Sequence, residues 1–276
     1  ENPFTIEVTA PDRYVAALPA PVTLGAAGTA TMTLHGTGFI AGMRGELRGG
    51  DGAVLLQFTP VPVDGNTLQV TLNASGIPPQ TATLALVWPD NGTLLLPDAV
   101  LVSASGIGPR LETSIEVPPA MRPDRRYTVW FHYANTGDAD LLAPLFTVTS
   151  ENALMRLSTD DPWQTGRIQF LGLNHEPPVH MLPPGYHRSL PILIQTRGSA
   201  GARVEFDYVY VEYKKDTVDW SRYSHLLRPP DTGSAEWAAL WPLVEDYLGG
   251  TWSGYFDALY YEAASLDAVG FPANDL

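Results

Sequence analysis

Short runs in which apolar and polar residues alternate recur along most of the chain. Before residue 106 they include "TATMTLHGTGF", "AVLLQFTPV", "NTLQVTLNAS" and "TATLALVWPD", separated by Gly-, Pro- and Asn-rich turns. Alternation places successive side chains on opposite faces of a strand, and short strands between regular turns are typical of an antiparallel sandwich. We predict a first β-sandwich over residues 12–106, with residues 1–11 as a strand or linker from a preceding module.

A second series of alternating runs follows the Gly/Pro hinge "SGIGPR". It includes "YTVWFHYAN", "LFTVTSE", "RIQFLGL" and "VEFDYVYVEY". The last run places mostly aromatic side chains on one face and mixed side chains on the other, as in a half-buried strand. We predict a second β-sandwich over residues 107–216.

The periodicity changes from two to between three and four near the C-terminus. Apolar residues recur at Trp237, Leu240, Trp241 and Val244, a spacing that belongs to a helix. Ser234 and Ser253 are candidate N-caps of two helices, and "GG" at 249–250 separates them. We predict a helical C-terminal unit over residues 217–276, so the fold class is mainly β with an α-helical hairpin.

The composition of the chain limits the classes of partner that it can bind. The 276 residues include 16 Lys and Arg against 30 Asp and Glu, a formal net charge of −14, and no cysteine. Phosphate binding needs clustered basic residues, so we expect no nucleic-acid partner. No apolar run is long enough to span a bilayer, and we expect no membrane insertion. The absence of cysteine excludes disulfides and thiolate chemistry but does not fix the compartment.

Residues 12–104 resemble the IPT/TIG family of immunoglobulin-like domains. The resemblance is carried by "TATMTLHGTGF", then "GGDG", then "LQVTLNASGIPPQTATLALVWPDNGT" and the closing "LPDAVLV", in that order. Residues 110–150, with "YTVWFHYANTGDAD", look like the repeat modules of large bacterial surface proteins, and "WPLVEDYLGGTWSGYFDALYYEA" is similar to segments of large modular exported bacterial proteins. These resemblances imply two tandem immunoglobulin-like sandwiches in a modular bacterial protein located extracellularly or at the cell surface.

The stretch "TLHGTGF" contains a Gly-x-Gly that invites comparison with a phosphate-binding loop. Such a loop needs a helix directly after the glycines, and the following "IAGMRGELRGG" is too Gly-rich for one. We interpret Gly36 and Gly38 as turn residues that permit positive φ, with Phe39 packed into the sandwich.

Two groups of residues could hold a metal ion. In "NTGDAD", Asn135, Asp138 and Asp140 offer the oxygen ligands that calcium prefers, although a solvated hairpin turn is the competing interpretation. The acidic turn "STDDPW" poses the same alternatives. His175, His180 and His187 form a second candidate set, but their spacing of five and seven fits neither a helical nor a strand face, which favours surface loops. We expect no other cofactor.

Aromatic residues outside the strands suggest two further roles. Trp88, Trp163, Trp220 and Tyr223 could stack on sugars, or Trp220 and Tyr223 could wedge the helices onto the second sandwich, which is the favoured interpretation. No Gly-x-Ser-x-Gly motif or orderly triad is present, and we predict that the protein is not an enzyme.

We therefore predict a non-catalytic structural or adhesive module that forms part of a stalk, filament, layer or adhesin. Its partners would be neighbouring modules of the same chain or copies of itself. The alternative is a carbohydrate-binding or accessory region of a secreted hydrolase, with glycans as partners. The residues predicted to form interfaces are Trp220, Trp237, Trp241, Tyr255 and Tyr260.

Overall fold

The computed structural model describes residues 12–16, 18, 20–25, 28–104, 106–199, 201–228 and 232–268. These residues divide into two compact units. Unit 1 comprises the described residues up to Thr113 together with Tyr133–Leu141 and Pro183–Arg188. Unit 2 comprises Ser114–His132, Leu142–Leu182 and the described residues from Ser189 onward. The predicted segment 1–11 lies outside the described residues.

The strands of unit 1 form two sheets that together make a sandwich. They are β1 (Tyr14–Val15), β2 (Val22–Leu24), β3 (Thr29–Thr37), β4 (Arg44–Arg48), β5 (Val54–Phe58), β6 (Val61–Pro62), β7 (Thr67–Asn73), β8 (Gln80–Val87) and β9 (Thr93–Val102). One sheet has the order β1-β3-β7-β6 and the other the order β2-β9-β8-β4-β5. With β1 and β2 as the two halves of the first strand, this is the order of an immunoglobulin-like sandwich.

The first strand of unit 1 changes sheets partway along. Its first half, β1, pairs antiparallel with β3, and its second half, β2, pairs parallel with the closing strand β9. The predicted mainly β, immunoglobulin-like fold is therefore visible in the strand order itself.

The core of unit 1 explains the "TLHGTGF" stretch. Gly38 has a φ of +80° and Phe39 is buried, so the predicted turn is confirmed at Gly38. Gly36 is not a turn residue, because it lies within strand β3. The Trp88 indole N–H donates to the Gly38 carbonyl at 2.7 Å. A Cβ on Gly36 would collide with the Tyr14 carbonyl oxygen, because β1 runs directly alongside. The glycines thus allow two strands to approach closely and do not form an anion site.

The second sandwich is built around one long strand. Its strands are β10 (Leu111–Glu116), β11 (Arg126–Asn135), β12 (Leu141–Leu142), β13 (Leu145–Arg156), β14 (Gln164–Leu171), β15 (Met181–Leu182), β16 (His187–Thr196) and β17 (Asp207–Val211). The first half of β13 pairs with β17 and the second half with β16, while β14 pairs along both halves. A register shift between Ser150 and Leu154 marks the bend, as expected of a β-bulge.

Aromatic rings fill the core of this sandwich. The Phe131 ring on β11 lies edge-on to Phe146, Phe170 and Tyr208, with ring centroids 4.7, 5.4 and 5.3 Å away. These three partners lie on β13, β14 and β17, so one ring is held by three other strands. Edge-to-face pairs of this kind stabilise a core beyond the apolar area that they bury.

Three helices follow the strands: α1 (Ser224–Leu227), α2 (Ser234–Leu248) and α3 (Trp252–Ala268), with a 3₁₀ turn at Trp220–Arg222. The predicted hairpin is thus present, but both predicted N-caps are wrong. Gly233 precedes α2, and the Ser234 hydroxyl instead accepts from Arg228. At α3 the Thr251 hydroxyl accepts from the Gly254 N–H, so Thr251 caps the helix in place of Ser253.

Helix α3 packs within unit 2 and does not form a unit of its own. Phe256, Tyr260 and Ala263, one buried face of α3, join Leu171 and Leu173 in a common apolar cluster. The Tyr260 hydroxyl donates to the Ala143 carbonyl at 2.6 Å. The division into units therefore differs from the predicted boundaries at residues 106 and 216. Within the described residues, no helix is both long and apolar enough to cross a bilayer.

Candidate functional site

The turn "NTGDAD" is a buried part of unit 1, and we call residues 135–140 the acidic clasp. Asn135 is fully buried and Asp138 is only 2% exposed, so the solvated-turn interpretation is wrong. The Asn135 side-chain oxygen accepts from the backbone N–H groups of Arg110 and Gly137, and its amide donates to the Ala139 carbonyl. Asn135 therefore fixes the shape of the turn from inside.

Asp138 ties the clasp to two other backbone segments of unit 1. Its carboxylate accepts from the N–H groups of Ile107 at 3.1 Å and Gly108 at 2.7 Å. Its carbonyl accepts from the Gly25 N–H at 2.8 Å. A Cβ on Gly25 would collide with the Asp138 carboxylate, so a residue without a side chain is required there. Hydrogen bonds to a buried carboxylate are among the stronger ones in proteins.

Asp140 joins the other end of the clasp to strand β3. Its carboxylate accepts from the Thr31 N–H at 2.8 Å and the Thr31 hydroxyl at 2.9 Å. Burial raises the pKa of Asp140 above its ordinary value, and the hydrogen bonds from Thr31 lower it in part. Burial disfavours the charged form of a carboxyl group, whereas donors facing it favour that form.

Calcium binding by Asn135, Asp138 and Asp140 stays a prediction. The structure assigns the carboxylate oxygens of both aspartates to backbone and hydroxyl donors of unit 1, which are the positions that a cation would have to take over. Among the residues that the structure describes, no group of three His, Asp or Glu side chains is arranged to hold a metal ion.

The three candidate histidines have separate surroundings. The His180 ring stacks on Tyr260 with centroids 5.1 Å apart, and burial lowers its pKa. His175 is exposed beside Glu176, with the His175 Nε2 atom 3.8 Å from a Glu176 carboxylate oxygen. His187 begins β16 in the other unit. His180 therefore packs against α3.

Unit 2 carries an open cavity that we call the aromatic groove. It has a volume of about 290 Å³, with a floor on the outer faces of β13, β14 and β17 and a wall of aromatic rings. The floor residues are Leu145, Thr147, Arg167, Gln169, Val209 and Val211, and the wall residues are Trp220, Tyr223, Leu227, Trp252 and Tyr255. The groove thus combines an apolar wall with three polar side chains.

Ring contacts and a hydrogen bond hold the wall of the aromatic groove in place. The buried Trp220 ring lies edge-on to Tyr223, Trp252 and Tyr255, with centroids 6.1, 5.4 and 5.2 Å away. Its indole N–H donates to the Gly249 carbonyl at 2.5 Å, which fixes the ring to the loop between α2 and α3. On the floor, the Gln169 amide donates to the Thr147 hydroxyl at 2.9 Å. The wedge role predicted for Trp220 and Tyr223 stays a prediction.

The remaining aromatic candidates lie apart from the groove. Trp88 is buried in unit 1, and the Arg156 guanidinium lies 4.3 Å above the Trp163 ring. The Trp237 and Trp241 rings on α2 lie 5.5 Å apart and are tilted by 54°, and the Trp237 indole N–H donates to Ser224. Of the five predicted interface residues, the structure brings Trp220 and Tyr255 together in the groove, and Tyr260 lies on the buried face of α3.

The floor of the groove was not predicted from the sequence. Thr147 and Gln169 lie on strands in which polar and apolar residues alternate. This alternation does not indicate which outer face of the sheet the helices cover. Thr147 lies opposite Val209 only because β17 pairs with β13, and that pairing follows from the sheet order.

No protein-family description and no curated protein matches this sequence. Solved structures that resemble it include DIP-gamma IG1+IG2, at 10% identity and a TM-score of 0.24 over 73% of this chain and 97% of that one. An alpha-2-macroglobulin of Salmonella matches at 13% identity and a TM-score of 0.24, over 74% of this chain and 15% of that one. A putative membrane anchored protein from Corynebacterium diphtheriae matches at 7% identity and a TM-score of 0.25, over 74% and 55%. At these TM-scores the fold assignment rests on the strand order of unit 1.

Proposed function

We propose that this protein is a non-catalytic structural and adhesive module of an extracellular or cell-surface bacterial protein. The observation that carries the proposal is the acidic clasp. Loops at the ends of sandwiches are where binding and catalytic groups usually lie. Here such a loop is buried, and the carboxylates of Asp138 and Asp140 hold backbone segments of unit 1.

The path of the chain supports the same role. It passes between the two units after residues 113, 132, 141, 182 and 188. A module joined by a single linker has one covalent connection, whereas here five crossings join the units. Such a path suits a part that transmits load along a stalk or filament.

Force spectroscopy on the protein tethered at its two ends tests the load-bearing role. We expect cooperative unfolding peaks, and a lower peak force for unit 1 in Asp138→Ala, which removes the acceptor of two backbone amides. Asp160→Ala, in the exposed turn "STDDPW", is the matched control and should leave the force unchanged. Gradual extension of the native protein without a peak would overturn the proposed mechanical role.

Localisation is tested separately on cells that carry the full-length protein. Added protease should cleave it on intact cells while a cytoplasmic marker stays protected. If the protein is cut only after lysis, the surface location is wrong.

The aromatic groove favours a second candidate function, carbohydrate binding. Sugar rings present apolar C–H faces and polar edges, which match its aromatic wall and the side chains of Arg167, Gln169 and Thr147. A glycan array, followed by calorimetry on any hit, tests this function. Tyr223→Ala should abolish binding and Tyr261→Ala, an exposed aromatic outside the groove, should not; an array without a hit would remove this candidate.

A further inference from the structure

Helices α2 and α3 share an apolar surface that stays exposed among the residues that the structure describes. It consists of Leu240, Leu243 and Tyr247 on α2 and Tyr261 on α3, and we call it the α2–α3 face. Leu243, Tyr247 and Tyr261 are 70%, 62% and 72% exposed. The Tyr247 hydroxyl donates to a Glu262 carboxylate oxygen at 3.2 Å, so the two helices meet at this surface.

Helix α2 therefore has two apolar stripes. Trp237, Trp241, Val244 and Leu248, at helical spacing, are partly or fully buried. Leu240, Leu243 and Tyr247, at positions i, i+3 and i+7, form the adjacent stripe that faces solvent. Large apolar side chains grouped in this way on a surface mark interaction sites.

The segment of the chain that carries the α2–α3 face has charges of one sign. Residues 229–276 contain no Lys, Arg or His, and they carry eight of the 30 acidic residues of the chain: Asp231, Glu236, Glu245, Asp246, Asp257, Glu262, Asp267 and Asp275. More than half of the net charge of −14 therefore lies in this last part of the chain. Glu236 and Glu262 are exposed beside the apolar stripe.

We infer that the α2–α3 face binds a basic amphipathic helix of a partner protein, with Leu243, Tyr247 and Tyr261 as the apolar anchors. The inference rests on the proposed associative role and names the chemistry of the partner. An i, i+3, i+7 stripe is the mode by which amphipathic helices dock onto one another, and the acidic rim selects Lys or Arg on the incoming helix.

The same charge argues against other occupants. A second copy docked through this face would bring two acidic segments together without a basic residue between them, and like charges in an interface are strongly unfavourable. Anionic lipid headgroups and nucleic acid would be repelled for the same reason. A basic helix satisfies the apolar and the acidic parts of the surface together.

The test uses the whole chain and a synthetic peptide of about 18 residues with Leu on one helical face and Lys on the other, long enough to form a helix on binding. We expect micromolar binding at low salt that weakens as salt is raised. Leu243→Ser with Tyr247→Ser should weaken it at least tenfold, and Glu236→Gln with Glu262→Gln should reduce both affinity and salt dependence. Val61→Ser, an equally simple change at a 57% exposed position of unit 1, is the matched control and should have no effect.

Several outcomes would overturn the inference. One is equal binding of a peptide with Glu in place of Lys, and another is equal weakening by Val61→Ser. A dimer seen by sedimentation and abolished by Leu243→Ser would make the occupant a second copy. Tenfold tighter peptide binding after removal of residues 269–276 would show that this segment itself occupies the α2–α3 face. Each can occur while protease still cleaves the protein on intact cells, so failure here is distinct from failure of the proposed function.

Discussion

Replacing Asp138 with alanine removes the only acceptor that the structure shows for two backbone amides of unit 1. The N–H groups of Ile107 and Gly108 donate to this carboxylate, and Asp138 is 2% exposed. A hydrogen bond to a charged group contributes about 1.5–3 kcal/mol. With two amides affected, we expect Asp138→Ala to lower the free energy of unfolding by about 3 kcal/mol.

Asp138→Asn separates charge from geometry. The asparagine keeps one oxygen acceptor but places an NH₂ group against the second amide, so we expect roughly half the loss, about 1.5 kcal/mol. Asp160→Ala, at an exposed turn position, should change stability by less than about 0.5 kcal/mol.

Urea unfolding followed by circular dichroism measures the free energies, and hydrogen exchange locates the effect. The amides of Ile107 and Gly108 should exchange slowly in the native protein and much faster in Asp138→Ala. A loss below about 0.5 kcal/mol with unchanged exchange would show that the clasp does not hold these segments, and the reasoning from buried acceptors would be refuted.

Three further predictions concern packing. Gly25→Ala places a methyl group against the clasp carboxylate and should cost about 1–3 kcal/mol in urea unfolding, whereas Gly65→Ala meets no atom within 4 Å and should be neutral. Tyr260→Phe removes the buried hydrogen bond to a carbonyl and should cost about 1–2 kcal/mol, whereas Tyr261→Phe, its exposed neighbour, should cost nothing measurable; equal effects would contradict the buried role. Burial holds the pKa of His180 below its ordinary value of 6.5, so the unfolded chain binds a proton at a higher pH than the folded chain does. The free energy of unfolding should therefore fall as the pH drops below about 6.5, and this pH dependence should be absent in His180→Gln.

The sequence predicted the strands and helices well because their periodicity reports local geometry. Alternation located β3, β7 and β8, and spacing of three and four located α2 and α3. The predicted helix caps were wrong because capping depends on contacts that periodicity does not show. At α2 the Ser234 hydroxyl binds Arg228 and Gly233 takes the cap position, and at α3 the hydroxyl of Thr251 caps the helix in place of Ser253.

The acidic clasp could not be predicted in the same way. Two carboxylates and an asparagine in a turn usually face water, and their donors at Ile107 and Thr31 are distant in sequence. The sequence indicated part of the aromatic wall, because burying large rings that lie outside strands is favourable. The floor of the groove depends on the pairing of β13 with β14 and β17, which the sequence pattern does not show. The local sequence pattern thus predicts the strands and helices, whereas the acidic clasp and the groove depend on contacts between residues far apart in the sequence.

Unit 1 includes residues that follow the Gly/Pro hinge in the chain. A gene segment that stops at this hinge would encode both sheets of the first sandwich but not the acidic clasp. The Gly25 and Thr31 amides would lose the acceptors that Asp138 and Asp140 provide. Recombinant expression of residues 12–106 alone should therefore yield a domain that is less stable than the same sandwich within the whole chain.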